Sequence, residues 1–348
     1  MRALTLAPGV AGSAHLDIVP DPQPGEEELL VEGLAVGVCG TDREIVDGSY
    51  GLAPAGRDRL VLGHESLGSV LHAPAGSGLS AGELVVGMVR RPDPVPCPAC
   101  AVGQWDMCRN GLYVEHGIKE LDGFAAERYT LEVDAAVVVP APLGERSVLV
   151  EPASVVAKAW EHIERIGGRA AWSPRRVLVT GAGPIGLLAA LFAVQRGYEV
   201  HVLDVVTKGP KPALVSALGA TYHSGAAMEA CAGADIVVEC TGVPQVVIDV
   251  MSCTGPAGVV CLTGVSSGGR RLTVDAGALN RELVLENDVV FGTVNANAAH
   301  YRAAVEALSA ADPGWLDGLI SRRVPLSDWS AALERRDDDV KVVIDLTR

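Results

Sequence analysis

The chain has 348 residues, too many for one ordinary hydrophobic core, so two domains are expected. Hydrophobic residues make up 49% and charged residues 20%, which fits a folded globular protein and excludes a disordered one. A net charge of −15 argues against nucleic-acid or anionic-membrane partners, since both need clustered Lys and Arg.

The N-terminus, MRALTLAPGVAG, has one positive charge and a short apolar run that Pro8 breaks. It reads as a first strand, not a signal peptide. No apolar run reaches the roughly 18–20 residues that a membrane span needs, and the expected location is the cytoplasm. Up to about residue 150 the chain reads as short strands with Gly/Pro punctuation, as in ELLVEGLAVGVCG and GELVVGMV. The texture changes at 151, where EPASVVAKAWEHIERIG has helical spacing. Strand-like and helical stretches then alternate: RVLVTG, PIGLLAALFAVQRG, EVHVLD, PALVSALG, DIVVECTG, VPQVVIDVMSCT and GVVCLTG. That alternation predicts a doubly wound parallel sheet. From about 292 a helix, HYRAAVEALSAA, precedes the strand VKVVIDLT, and this tail is expected to rejoin the first domain. The predicted domains are 1–154 with 293–348, and 155–292.

RVLVTGAGPIG carries Gly181, Gly183 and Gly186 as G-x-G-x-x-G between an apolar strand and an apolar helix. The first glycine permits a tight turn, the second lets backbone approach a pyrophosphate, and the third lets helix pack on strand. The phosphates then meet the unpaired N–H groups of the helix N-terminus. Asp204 ends the next strand, eighteen residues past Gly186, where it can accept hydrogen bonds from ribose hydroxyls and repel a 2′-phosphate. NAD is therefore the expected cofactor, with NADP use also open because Lys208 follows. Candidate cofactor contacts are Gly181, Gly183, Pro184, Ile185, Gly186, Asp204, Thr241 and Gly264.

Catalytic zinc takes three protein ligands and keeps one position open. Cys39, His64 and Glu65 lie near one another in the first half, and Glu151 stands at the domain junction. A separate cluster, Cys97-x2-Cys100-x7-Cys108, has the spacing of a structural zinc knuckle. It lacks a fourth cysteine; Asp93 is the nearest hard ligand and Asp106 another. Cys231, Cys240, Cys253 and Cys261 stand in apolar or turn contexts and are expected to fill core.

With VCGTD, GHE, the cysteine cluster and VTGAGPIG in that order, the sequence resembles the zinc-dependent medium-chain alcohol dehydrogenases over essentially its whole length. Within them it is most similar to glucose 1-dehydrogenases, through CGTDREIVDGSYG (39–51), EHGIKELDGFAAERY (115–129), EPASVVAKA (151–159) and GTVNAN (292–297). The resemblance implies a GroES-like β-rich catalytic domain and a Rossmann domain, with the active site in the cleft between them and a homodimer or homotetramer as the assembly. It implies Cys39, His64 and Glu151 as catalytic zinc ligands, and Glu65 as a carboxylate that can exchange with Glu151. Thr41 matches the hydroxyl that touches substrate, Glu115 and Asn295 match positions that bind sugar hydroxyls, and Thr293 and Asn295 fall on the nicotinamide side. Glu115 and His116 also admit a reading as solvated loop residues.

Three departures stand out. Pro94 occupies the place of the family's first lobe cysteine, so either Asp93 completes the structural zinc site or that site is weakened. Asp204 replaces the Asn-Arg-Arg-like residues that suit NADP. Val89 falls near an asparagine of the sugar pocket. The implied reaction moves a hydride from the anomeric carbon of an aldose to the nicotinamide, giving the lactone. Oxidation of another polyol, amino-sugar or secondary alcohol is the alternative, and a non-catalytic NAD(H)-binding protein is a second.

Overall fold

The computed structural model describes every residue except 267, 269 and 270. The chain divides into two compact units, Met1–Ser154 with Asn295–Arg348, and Val155–Val294.

The first unit is mostly β-structure. Its largest sheet runs in the order Ala136–Val138, Leu84–Gly87, Glu65–His72, Glu28–Val38, Lys341–Asp345, Ile320–Pro325, and Arg128–Glu132 also pairs with Glu28–Val38. The strand Glu28–Val38 explains its own place. Leu29 and Val31 are buried while Glu28, Leu30 and Glu32 are less so, the alternation of a half-covered strand. Toward its end, Ala35 to Val38 are all buried, and Val36 and Val38 join a core with Leu4, Leu6, Ile45, Leu62, Val342 and Ile344. Register does the rest. Gly37 lies opposite Glu65, and Val342 lies opposite Val38, so Glu65 and Lys341 flank the end of the central strand where Cys39 follows. A smaller sheet joins Arg90–Arg91, Val114–His116 and Glu120–Leu121, with Arg90 directly across from Glu115.

The second unit holds a six-stranded parallel sheet. In chain order its strands are Arg176–Thr180, Glu199–Leu203, Thr221–His223, Ala234–Glu239, Thr254–Leu262 and Val289–Gly292, arranged third, second, first, fourth, fifth, sixth. The four longest inner segments are near-continuous apolar runs, as strands covered on both faces must be. The helix Pro184–Gln195 starts with proline at its first turn, where no N–H is missed, and is apolar all round. Gly186 to Ala193 are accordingly buried.

One expectation about the cysteines needs correction. Cys231 and Cys253 do not simply fill core: they form a disulfide, with Cα atoms 5.7 Å apart. The helix Ala227–Cys231 ends, and the strand Thr254–Leu262 begins, on the same side of the sheet, a proximity that 22 residues of separation conceal. Cys240 and Cys261 stay free, and Cys261 is buried. Among the described residues, no helix is long and apolar enough to cross a membrane.

Candidate active site

Cys39, His64 and Glu65 converge: a ligand atom from each lies within 4.8 Å of the others. The thiol comes from the N-cap of the short helix Gly40–Val46, and the imidazole and carboxylate from the start of Glu65–His72 and the residue before it. His64 and Glu65 are buried. Gly37 is required here, because a Cβ at that position would sit 2.1 Å from the Glu65 carboxylate. Thr41 Oγ1 lies 3.9 Å from the Cys39 sulfur. Glu151, in the first turn of Val150–Gly167, stands outside that trio but within its field. Burial lifts its carboxyl to about 7, His64 opposes the shift and the Glu65 charge adds to it.

Two residues that the motif reading passed over hold this cluster in place. Asp42 accepts a hydrogen bond from the Cys39 amide (2.7 Å), and its other oxygen lies 3.2 Å from His64 Nδ1. That contact is electrostatic and not a hydrogen bond, and a carboxylate beside one ring nitrogen favours presenting the other to a metal. Its position in VCGTD, three residues after the cysteine, was the available signal. The second is Lys341, whose Nζ donates to both oxygens of Glu65 at 2.7 and 2.6 Å. Burial opposes its charge, and the Glu65 carboxylate outweighs that and raises its pKa. Thiolate, imidazole and carboxylate in one pre-oriented set, with His64 and Glu65 buried and Cys39 half-buried, are the donors zinc takes, so the residues fit a zinc ion.

A second trio, Cys97, Cys100 and Cys108, also brings its sulfurs within 4.8 Å of one another. Asp93 is not in that group. It is buried, one oxygen accepts from the Val95 amide at 2.8 Å, and the other has no hydrogen-bond partner among the described residues. Asp106 is engaged elsewhere, accepting from Asn297 Nδ2 at 2.9 Å. Backbone donors hold the Cys97 thiol down at about 6, while burial pushes Cys100 up.

Glu115 and His116 are buried strand residues, which corrects their reading as solvated loop. Asn295 Nδ2 donates to Glu115 Oε1 at 2.8 Å, so the two sugar-pocket candidates are already joined. Asn295 has φ +63°, a conformation that asparagine tolerates better than most residues.

In the second unit the glycine turn fits a dinucleotide. A Cβ on Gly186 would fall 1.8 Å from the Gly181 carbonyl oxygen, whereas one on Gly183 would meet open space. Pro184 and Ile185 open the helix whose free N–H groups face that space. Asp204 accepts from the Ala182 amide at 2.7 Å and the Val206 amide at 3.0 Å, which seats it at the edge of the turn, and Lys211 Nζ is 3.5 Å away. Among the described residues, Asp204 pairs with Lys211 and not with Lys208, the cation noted in the sequence. Thr241 is tied to the wholly buried Glu239, which also takes the Thr180 hydroxyl and the Gly242 amide; nothing in DIVVECTG marked Glu239 as this anchor. Gly264 donates its amide to the Glu239 carbonyl. Thr293 Oγ1 is buried with no hydrogen-bond partner among the described residues, an orphan that a bound group would satisfy. These features fit a nicotinamide dinucleotide.

Comparison with known proteins agrees in extent and kind. The family described as alcohol dehydrogenase GroES-like domain matches residues 25–142, and that described as glucose dehydrogenase C-terminus matches 144–346. A glucose 1-dehydrogenase of Methanocella arvoryzae is 39% identical, with 99% of each chain covered. One from Thermoproteus tenax is 40% identical at the same coverage. The structure of Haloferax mediterranei glucose dehydrogenase in complex with NADP, Zn and gluconolactone is 33% identical, covers 100% of both chains and superposes with a TM-score of 0.92. With a GroES-like unit, a Rossmann unit and these relatives along its whole length, the chain belongs to the zinc-dependent medium-chain alcohol dehydrogenase superfamily, in its glucose dehydrogenase branch.

Proposed function

We propose that the protein is a zinc-dependent aldose 1-dehydrogenase that oxidises a glucose-like sugar to its lactone with NAD, and also accepts NADP. The observation that carries this reading is the pairing, within one unit, of a thiolate–imidazole–carboxylate set with a carboxylate–amide pair suited to hydroxyl groups, Glu115 and Asn295. The full-length likeness to glucose 1-dehydrogenases supports the aldose over other alcohols.

Cys39, His64 and Glu151 would hold the ion, with Glu65 as the exchanging carboxylate. Bound there, zinc supplies Lewis acidity toward the reacting hydroxyl, and the nicotinamide supplies the acceptor for two electrons from carbon. The chain does the remainder. Asp42 favours one tautomer of His64, and Lys341 keeps Glu65 ionised and oriented. Thr41 takes the hydroxyl proton and passes it outward. Glu115 and Asn295 pair with further sugar hydroxyls, so an analogue lacking one leaves a buried polar group unpaired and is rejected. Asp93 completes the cysteine lobe around a second, structural ion in this reading.

The enzyme acts in the cytoplasm as a homodimer or homotetramer. The helix Ala276–Glu286 supports self-association, since none of its residues is buried and Val284 and Leu285 face outward. The test is formation of reduced cofactor from aldoses and polyols with NAD and NADP, in wild type and in Cys39→Ser and His64→Ala. Aldose oxidation lost in both folded variants is expected; full activity in either overturns the zinc assignment.

A further inference from the structure

Arg90 has no role in the reading so far, yet its guanidinium pairs directly with Glu115 of the sugar-pocket pair. It faces Glu115 across an antiparallel pair of strands, where side chains opposite one another share a face. Both residues are buried. Arg90 Nε and Nη2 each lie 3.0 Å from Glu115 Oε1, and Nη1 lies 3.2 Å from the Asp106 carbonyl oxygen. The guanidinium rests over the Tyr113 ring at 3.7 Å from its centroid, a stacked cation–π contact.

The asymmetry of the ion pair matters most. An arginine that merely neutralises a carboxylate commonly forks across both oxygens. Here two arginine nitrogens and Asn295 Nδ2 all converge on Oε1. The described contacts place no donor on Oε2. A carboxylate accepts on both oxygens, so Oε2 retains its capacity while its orientation is fixed from the other side. We propose that Arg90 is a positioning residue for substrate: it clamps Glu115 through Oε1, against the Asp106 carbonyl and the Tyr113 ring, and so presents Oε2 to one hydroxyl of the sugar. This rests on the aldose reading above and adds to it a residue that sets sugar discrimination.

The test uses the zinc- and cofactor-loaded enzyme with D-glucose and its 2-, 3-, 4- and 6-deoxy analogues. The wild type loses about tenfold or more in kcat/KM for one deoxy position, the worth of one hydrogen bond to a charged group. Arg90→Ala and Glu115→Gln each raise the aldose KM by a similar factor, leave the KM of the cofactor within twofold, and abolish most of that deoxy penalty. The double variant is no worse than the poorer single one. If Arg90→Ala does not fold, Arg90→Lys carries the test, because an ammonium cannot reproduce the fork. An unchanged deoxy penalty in the Arg90 variant, or independent effects in the double variant, overturns the proposal while leaving the aldose reading intact. A wild type that oxidises no aldose overturns both.

Discussion

The ammonium of Lys341 contacts both carboxylate oxygens of Glu65, at 2.7 and 2.6 Å, with both side chains at most 2% exposed. Pairing of neighbouring strands puts them together, and each would be costly alone in that setting. Lys341→Met should therefore cost about 3–5 kcal/mol by stranding Glu65, whereas the double change Lys341→Met with Glu65→Gln should recover most of the loss. Denaturant midpoints of the three proteins, measured in excess chelator, check this. A single variant within 1 kcal/mol of wild type would mean that the pair is not holding the carboxylate.

Asp42 joins the Cys39 amide to the His64 ring, so its loss should loosen both arms of the metal site at once. Asp42→Asn keeps the volume and removes the charge. Zinc affinity is expected to fall about 10–100-fold, the usual worth of an outer partner of a metal-bound histidine. Competition for zinc with a chromophoric chelator reads this directly, without reference to turnover. Wild-type affinity in a folded Asp42→Asn protein would remove Asp42 from the site.

Local spacing made half of this site legible. Cys39, His64 and the glycine turn each sit in short motifs whose chemistry is set by neighbours in sequence, and the alternation of apolar strands and helices was enough for the parallel sheet. What escaped was decided by strand register. Lys341 stands 276 residues from Glu65, and nothing in VKVVIDLT distinguishes its lysine from a solvated strand end. Nothing in VRRPD sets Arg90 apart from Arg91 until strand pairing places it across from Glu115. The Cys231–Cys253 bridge was hidden for a similar reason, since an intervening strand separates the two cysteines. Glu239 was unreadable because a buried acid at a strand end looks apolar-flanked and idle until the backbone amides that surround it are known.

Asp204 is anchored by the Ala182 and Val206 amides, so it cannot swing away to admit a 2′-phosphate. Two negative charges at close range cost on the order of 1–4 kcal/mol at surface-like dielectric. Asp204→Ser should thus raise the ratio of kcat/KM with NADP to that with NAD by about tenfold or more. Lys211, 3.5 Å from the carboxylate, offsets part of the repulsion, and Lys211→Ala should move the ratio the other way. Steady-state kinetics with both cofactors decide. A strong NADP preference in the wild type would show that the anchored acid does not discriminate.

His116 gives the fold a dependence on acid. Its Nδ1 donates to the Asp122 carbonyl at 2.6 Å, and Nε2 accepts from Arg91 at 2.9 Å, so the ring is neutral and has no room for a second proton. Burial first, and then the Arg91 charge, depress its pKa to about 3. In the unfolded chain the value returns to about 6.5. Between those two values the unfolded state binds more protons than the folded one, so stability from this group is complete above about 6.5 and drains away as the pH falls. The loss accumulates at about 1.4 kcal/mol per unit, or roughly 3 kcal/mol by pH 4.5. His116→Gln keeps a donor and an acceptor but does not titrate. It should be less stable than wild type near neutrality, and the gap should close by that amount between pH 6.5 and 4.5. Unfolding free energies in chelator across that range test the point, and a gap that stays constant with pH would show that His116 is not the group responsible.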